Sequence, residues 1–240
     1  VKAVCWNGSP YSIDGWYLDS ASQDEEWRRV WEDIFQRKYR NYWTDINRNF
    51  CRSELNIFKE IRANLMLGFL WKEFAPRFIY IIRNPISVIE SRITAKWEPD
   101  LRKLREQSKL MDCFFNNKRD FFLDDVSLVV KHAVWWSVEN KVATETLKKI
   151  PHYRLVYEDA IKDKSAIAND VRRWVGLLEY NNSKLKSLNT LSRMSDIEEK
   201  YRLSEDEEQQ VWEIVNKLAP GLYRENRDNL LFSGIQNSRN

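Results

Sequence analysis

The chain has 240 residues, 43% of them hydrophobic and 31% charged, with a formal net charge of +3. That length is ample for one buried core, and 11 Trp, 10 Tyr and 11 Phe are far more aromatic residues than a disordered chain carries. The small, interspersed charge argues against nucleic acid as a partner while leaving room for a local cationic pocket, and every apolar run is shorter than the ~20 residues of a membrane-spanning helix. Cys5, Cys51 and Cys113 are widely separated, odd in number and without metal-ligand spacing, so neither a disulfide framework nor a metal site is expected.

In chain order, residues 1–6 form a short apolar run broken by Asn7-Gly8-Ser9-Pro10, which predicts a buried strand entering a loop. Within residues 23–43, Trp27, Val30, Trp31, Ile34 and Phe35 recur at helical spacing, the pattern of an amphipathic helix. Residues 55–61 predict a second strand and 63–74 a helix that Pro76 stops. Residues 78–82, Phe-Ile-Tyr-Ile-Ile, predict a strand covered on both faces of a parallel sheet. Arg83-Asn84-Pro85 ends it, and a helix begins near Ile86.

Residues 95–122 are charged and aromatic without a clean period and are expected to form an insert or lid. A long helix follows over 127–150, then a strand over 153–157, then a helix over 166–175 that stops at Gly176. Residues 182–203 are polar and weakly patterned. The last helix runs from Ser204, whose Ser-Glu-Asp-Glu start has a capping-box arrangement, to Leu218 ahead of Pro220-Gly221. Strands alternating with helices imply an α/β fold, a central parallel β-sheet flanked by helices, in a single domain spanning residues 1–240.

The segment over residues 78–91, FIYIIRNPISVIES, carries the chemistry. A buried strand delivers Arg83 at its carboxyl end, where ligands of open α/β sheets bind. A helix start adds backbone donors and a dipole that favours an anion. Ser91 lies eight residues beyond Arg83, so a guanidinium fork and a hydroxyl are placed to hold one phosphate. The structural alternative is that Arg83 is a capping or salt-bridging residue.

Here the chain resembles the sulfotransferases that use 3′-phosphoadenosine 5′-phosphosulfate (PAPS), whose 3′-phosphate motif is a strand, Arg-Asn/Asp-Pro and a serine eight residues after the arginine. Arg83, Asn84, Pro85 and Ser91 stand at those positions. Residues 153–159 (YRLVYED) resemble the family's second strand-ending motif, whose tyrosine lies beside the adenine; Tyr157 matches it. Trp135-Trp136, residues 171–177 and the closing helix are similar to the family's layout, and the resemblance covers residues 55–223. It implies the P-loop NTPase-like sulfotransferase fold, with PAPS as co-substrate and no metal. Lys59 matches the family's acceptor-side lysine, as stabiliser of the leaving bridge oxygen. The family's histidine base is replaced by Ile61, so Glu60 is the expected base, with a surface or salt-bridged glutamate as the alternative. His132 and His152 are expected in packing or loop roles.

The family's first loop, which binds the 5′-phosphosulfate, is matched by Gly8, Pro10, Ser12 and Trp16 in register. Tyr11 replaces its basic residue, Ile13 a glycine, and Asp14 and Gly15 its paired threonines. A phosphate cradle wants amides, hydroxyls and a cation, and Asp14 opposes it. Three readings stay open: a stretch of loop missing between these residues, a diverged loop in an active enzyme, or a catalytically weakened relative. Ser9, Tyr11, Ser12, Gly15 and Trp16 are the cofactor-binding candidates of this loop.

The resemblance thus implies transfer of a sulfuryl group to a hydroxyl or amine of a small-molecule or sugar acceptor. The alternative is a non-catalytic nucleotide-binding or scaffold relative. Trp97, Phe114, Phe115, Phe121 and Phe122 are candidates to wall an acceptor pocket or, more plainly, to pack a core. Lys103, Arg105, Lys118 and Arg119 would suit an anionic sugar polymer or belong to solvated helix faces. The cysteine pattern points to a cytoplasmic protein; the alternative is the lumenal domain of a Golgi enzyme whose anchor lies upstream of Val1.

Overall fold

The computed structural model describes residues 15–36, 38, 57–177 and 200–223, together with the backbone of 234–236. The expected strand at 1–6, Ser9, Tyr11, Ser12 and most of the polar stretch over 182–203 lie outside the described residues. Two compact units divide the chain, residues 1–75 and 76–240.

In the first unit, α1 (Glu25–Phe35) begins where the Asp24 carboxylate accepts from Trp27 N, one of the donors a helix start leaves unpaired. Its apolar positions Trp27, Val30 and Trp31 are buried, as their spacing requires. The Phe35 ring lies 4.9 Å from Phe74 and 5.3 Å from Phe58, centroid to centroid. A 3₁₀ turn (Ala63–Leu65) leads into α2 (Leu67–Phe74), which ends at Ala75 in the left-handed conformation. The strand expected over 55–61 is not found: its described residues, 57–61, adopt no strand. Ile57 is 76% and Ile61 42% exposed, so the apolar run there reflects no two-sided burial.

In the second unit, β1 (Phe78–Ile82) pairs in parallel with β2 (His152–Val156), and β3 (Gly234–Gln236) pairs antiparallel with β2. The unit is therefore mixed α/β, a small parallel pair flanked by helices. Between β1 and β2 run α3 (Pro85–Thr94), α4 (Arg102–Arg105), α5 (Ser108–Phe114), a 3₁₀ segment (Asn116–Phe121) and α6 (Leu128–Leu147). After β2 come α7 (Tyr157–Lys162), α8 (Lys164–Trp174) and α9 (Glu205–Leu218).

Side-chain alternation decides which face each strand residue serves. Tyr80 points toward α6, where its hydroxyl donates to Asn140 Oδ1 at 2.7 Å; burial pushes its pKa up. Asn140 in turn donates to Trp136 O, so both buried polar groups are satisfied. The other face carries Tyr153, whose hydroxyl reaches Asp170 of α8 at 3.4 Å. Coverage there is incomplete: Ile81 is 53% exposed, contrary to the expectation of a strand buried on both faces.

The long helix α6 is buried on almost every side, and its polar His132, Glu139 and Asn140 are buried with it. Ser127 caps it by accepting from Val130 N. Tyr223, beyond α9, ties that helix to α6, its ring lying 6.3 Å from both Trp212 and Trp136. The expected capping box opens α9: Ser204 Oγ accepts from Glu207 N, and Glu207 Oε2 accepts from Ser204 N. Helix α8 ends in a Schellman motif, with Gly176 N bonded to Arg173 O and Leu177 N to Arg172 O. Gly176 sits at φ +81°, and a Cβ there would lie 3.0 Å from Arg77 Nη1.

The segment expected as an insert or lid is helical with its own apolar interior. Leu101, Leu104, Leu110, Met111, Phe115 and Phe122 are all buried. Phe115 stacks edge-on to Phe122 at 5.5 Å, so those two aromatics serve packing. Arg105 bonds Phe122 O and Asp124, Arg119 bonds Asp112, and Lys118 donates to Lys217 O, which ties three of the four candidate basic residues into the fold.

Candidate functional site

The parallel register sets Ile81 beside Leu155 and Ile82 beside Val156. Continued one step past the strands, it sets Arg83 beside Tyr157. The side chains meet accordingly: Arg83 Cζ lies 4.8 Å from the centroid of the Tyr157 ring, a cation–π contact. Tyr157 is 39% exposed, so part of its ring remains open to solvent. Arg83 is half-buried, and its Nε is buried without a hydrogen-bond partner among the described residues. A buried guanidinium N–H without an acceptor is costly unless something else supplies one.

The next residue is held as firmly. Asn84 N donates to Glu158 Oε1 at 2.7 Å, and the Asn84 side chain accepts from Ser87 N to cap α3. Pro85 at the first helical position has no N–H to offer. The expectation that α3 presents its first backbone donors to an anion is narrowed by these bonds. Asn84 N, Ser87 N and Val88 N already have partners within the protein, so fewer backbone donors than a bare helix start offers are left for an anion.

Ser91 stands on α3 about 10 Å along the axis from Asn84. The core-facing stripe of that helix is Pro85, Ile89 and Arg92: the first two are buried, and Arg92 is ion-paired inward. At about 100° per residue, Ser91 lies on the flank turned away from that stripe, on the same side as Ser87. It is half-buried. Tyr201 N bonds Thr94 Oγ1 further along the helix, and Glu90 accepts from Arg202 Nη1 and Leu203 N. The segment leading into α9 therefore docks on α3.

A second polar cluster, which sequence reasoning missed, joins α3 to α6. Arg92 Nη2 meets Glu139 Oε2 at 2.7 Å, and Trp135 Nε1 donates to Glu139 Oε1 at 2.9 Å. Arg92 also lies 5.7 Å from the Trp97 ring centroid. His132 Nε2 contacts Trp97 O at 3.0 Å, in the geometry of an N–H donated to that carbonyl. Burial, aided by the positive Arg92 nearby, lowers the His132 pKa to about 4. His132 is thus neutral at physiological pH and serves packing, as expected. His152 is buried as well, with Nδ1 at 2.9 Å from Ile150 O. The helical spacing of His132, Trp135 and Glu139 was the one available signal of a shared face.

The remaining candidates belong to the first unit. Gly15 adopts φ +83°, a conformation that suits glycine, and Trp16 is 50% exposed. Lys59 and Glu60 are exposed, and Glu60 ends no strand. Its Oε1 instead accepts from Arg62 N at 2.9 Å, a local turn. Among the described residues, no group of His, Cys, Asp and Glu is placed to hold a metal ion, and no helix is long and apolar enough to cross a membrane.

Comparison with known proteins finds no matching family model, no similar curated protein and no similar solved structure.

Proposed function

We propose that the chain binds PAPS and transfers its sulfuryl group to a hydroxyl or amine of an acceptor. The observation that carries this reading is the meeting of Arg83 and Tyr157 at the carboxyl ends of adjacent parallel strands, where ligands of such sheets sit. In this reading Arg83, with its buried Nε still lacking an acceptor, and Ser91 hold the 3′-phosphate. The open part of the Tyr157 ring stacks on adenine. The acceptor atom attacks sulfur in line, the bond from sulfur to the bridging phosphate oxygen breaks, and a base takes the acceptor's proton. Lys59 and Glu60 are the assigned stabiliser and base, and Gly15 and Trp16 belong to the loop assigned to the 5′ end.

Titration calorimetry with adenosine 3′,5′-bisphosphate tests the nucleotide site. Micromolar binding is expected in the wild type. In Arg83→Ala it should weaken at least about tenfold, because a charge-assisted hydrogen bond is lost. An absence of wild-type binding at millimolar ligand refutes the site.

A second reading is a non-catalytic nucleotide-binding relative. The bond from Arg62 N to Glu60 favours it, because it occupies one oxygen of the assigned base in a local turn. Transfer of radiolabelled sulfate from PAPS to hydroxylated and amine acceptors separates the two. Nucleotide binding without turnover on any acceptor supports the second.

A further inference from the structure

The junction between β2 and α7 grips the junction between β1 and α3 at two points. Tyr157 meets the Arg83 side chain, and the next residue, Glu158, accepts from the backbone N–H of the residue after Arg83. These are consecutive residues on each side, and their contacts cross between strands paired in register. The peptide joining Arg83 to Asn84 is therefore anchored from its N–H, which limits rotation of the backbone that aims the guanidinium. Asn84 is also the cap of α3, so the same bond sets where that helix, with Ser91 on it, begins.

We infer that Glu158 is the positioning residue of this site, holding Arg83 and the start of α3 in the arrangement that receives an anionic nucleotide. The inference rests on the reading of Arg83 and Tyr157 as a nucleotide site. It adds that affinity depends on a hydrogen-bond acceptor of the right reach at position 158 rather than on negative charge there. A carboxylate beside the phosphate site would by charge alone weaken anion binding. What it offers the site is the bond from Asn84 N, which the carbonyl oxygen of a neutral amide of equal length can also accept.

Three variants separate these roles: Glu158→Gln keeps the acceptor and removes the charge, Glu158→Asp keeps the charge and shortens the reach, and Glu158→Ala removes both. Two measurements are made on each, the hydrogen-exchange rate of the Asn84 amide by NMR and the affinity for adenosine 3′,5′-bisphosphate by calorimetry. Loss of this bond is expected to speed exchange and weaken the nucleotide by at least about tenfold in the Ala and Asp variants, with the Gln variant close to wild type in both. Should Glu158→Ala fail to fold, the contrast between Asp and Gln carries the same test.

Unchanged exchange and affinity in both the Ala and Asp variants would overturn the inference. So would tighter nucleotide binding in both Gln and Ala, which would make Glu158 a competing charge. Should the wild type bind no bisphosphate, the nucleotide reading falls by itself. Glu158 then stands as an anchor of this junction only if the Ala and Asp variants speed Asn84 exchange and shift the Arg83 Nε–H resonance while Gln does not.

Discussion

Acidification should weaken the fold through His132 by an amount the structure sets. This imidazole is 1% exposed, faces Arg92 of α3, and shares its cluster with Glu139 and Trp135 of α6 and with Trp97. Its folded pKa of about 4 lies below the ordinary value of 6.5. Between those values the unfolded chain holds a proton that the folded chain does not, so acid favours unfolding. The contribution of His132 is complete above pH 6.5, falls as pH drops toward 4 and is exhausted below it. At 1.36 kcal/mol per unit the whole effect is about 3 kcal/mol. Carboxylates titrate over part of the same range, so the informative quantity is the difference from His132→Gln, which carries no titrating group at that position. Urea unfolding from pH 4.5 to 7.5 should show the wild type losing stability relative to the variant as pH falls, by up to about 1.4 kcal/mol per unit. Parallel curves for the two proteins would refute the assignment of a buried neutral imidazole.

Glu139→Ala, which leaves the half-buried Arg92 guanidinium without its carboxylate, should cost about 3 kcal/mol in urea unfolding. Arg92→Met with Glu139→Leu should recover part of that loss, because no unpaired charge stays inside while Trp135 Nε1 still lacks its acceptor. Tyr80→Phe leaves Asn140 Oδ1 without its donor and should lower stability by about 1–2 kcal/mol, read from the same unfolding curves. Ser204→Ala removes the reciprocal cap of α9 at a cost of about 1 kcal/mol. Gly176→Ala forces an alanine into the left-handed region against Arg77 and should destabilise by about 1 kcal/mol or more.

Elements whose signals are local were legible in the amino-acid order. The strand at 78–82 was bounded correctly because an unbroken β-branched and aromatic run ends at Arg-Asn-Pro, where proline restricts what precedes it. Ser204 with Glu207, and Gly176 after α8, marked helix ends because capping uses residues within a few positions of each other. The run over 55–61 misled because short apolar segments look alike whether or not a neighbour covers them. Position 81 misled likewise: an isoleucine in a strand says nothing of whether a layer lies over it.

The candidate site divides in the same way. Arg83 at a strand end and Tyr157 at another were visible as motifs. Their contact depended on the register of two strands separated by α3 to α6, a choice made by packing of distant segments. The hold of Glu158 on Asn84 spans 74 positions, and the pairing of Arg92 with Glu139 spans 47; neither has a periodic signature. Chain order determined where helices and strands start and stop, since propensity, proline and capping act over one or two turns. Which polar groups are buried together, and which backbone donors are already occupied, only the tertiary structure decided, because a hydrogen-bond partner is chosen by proximity in space.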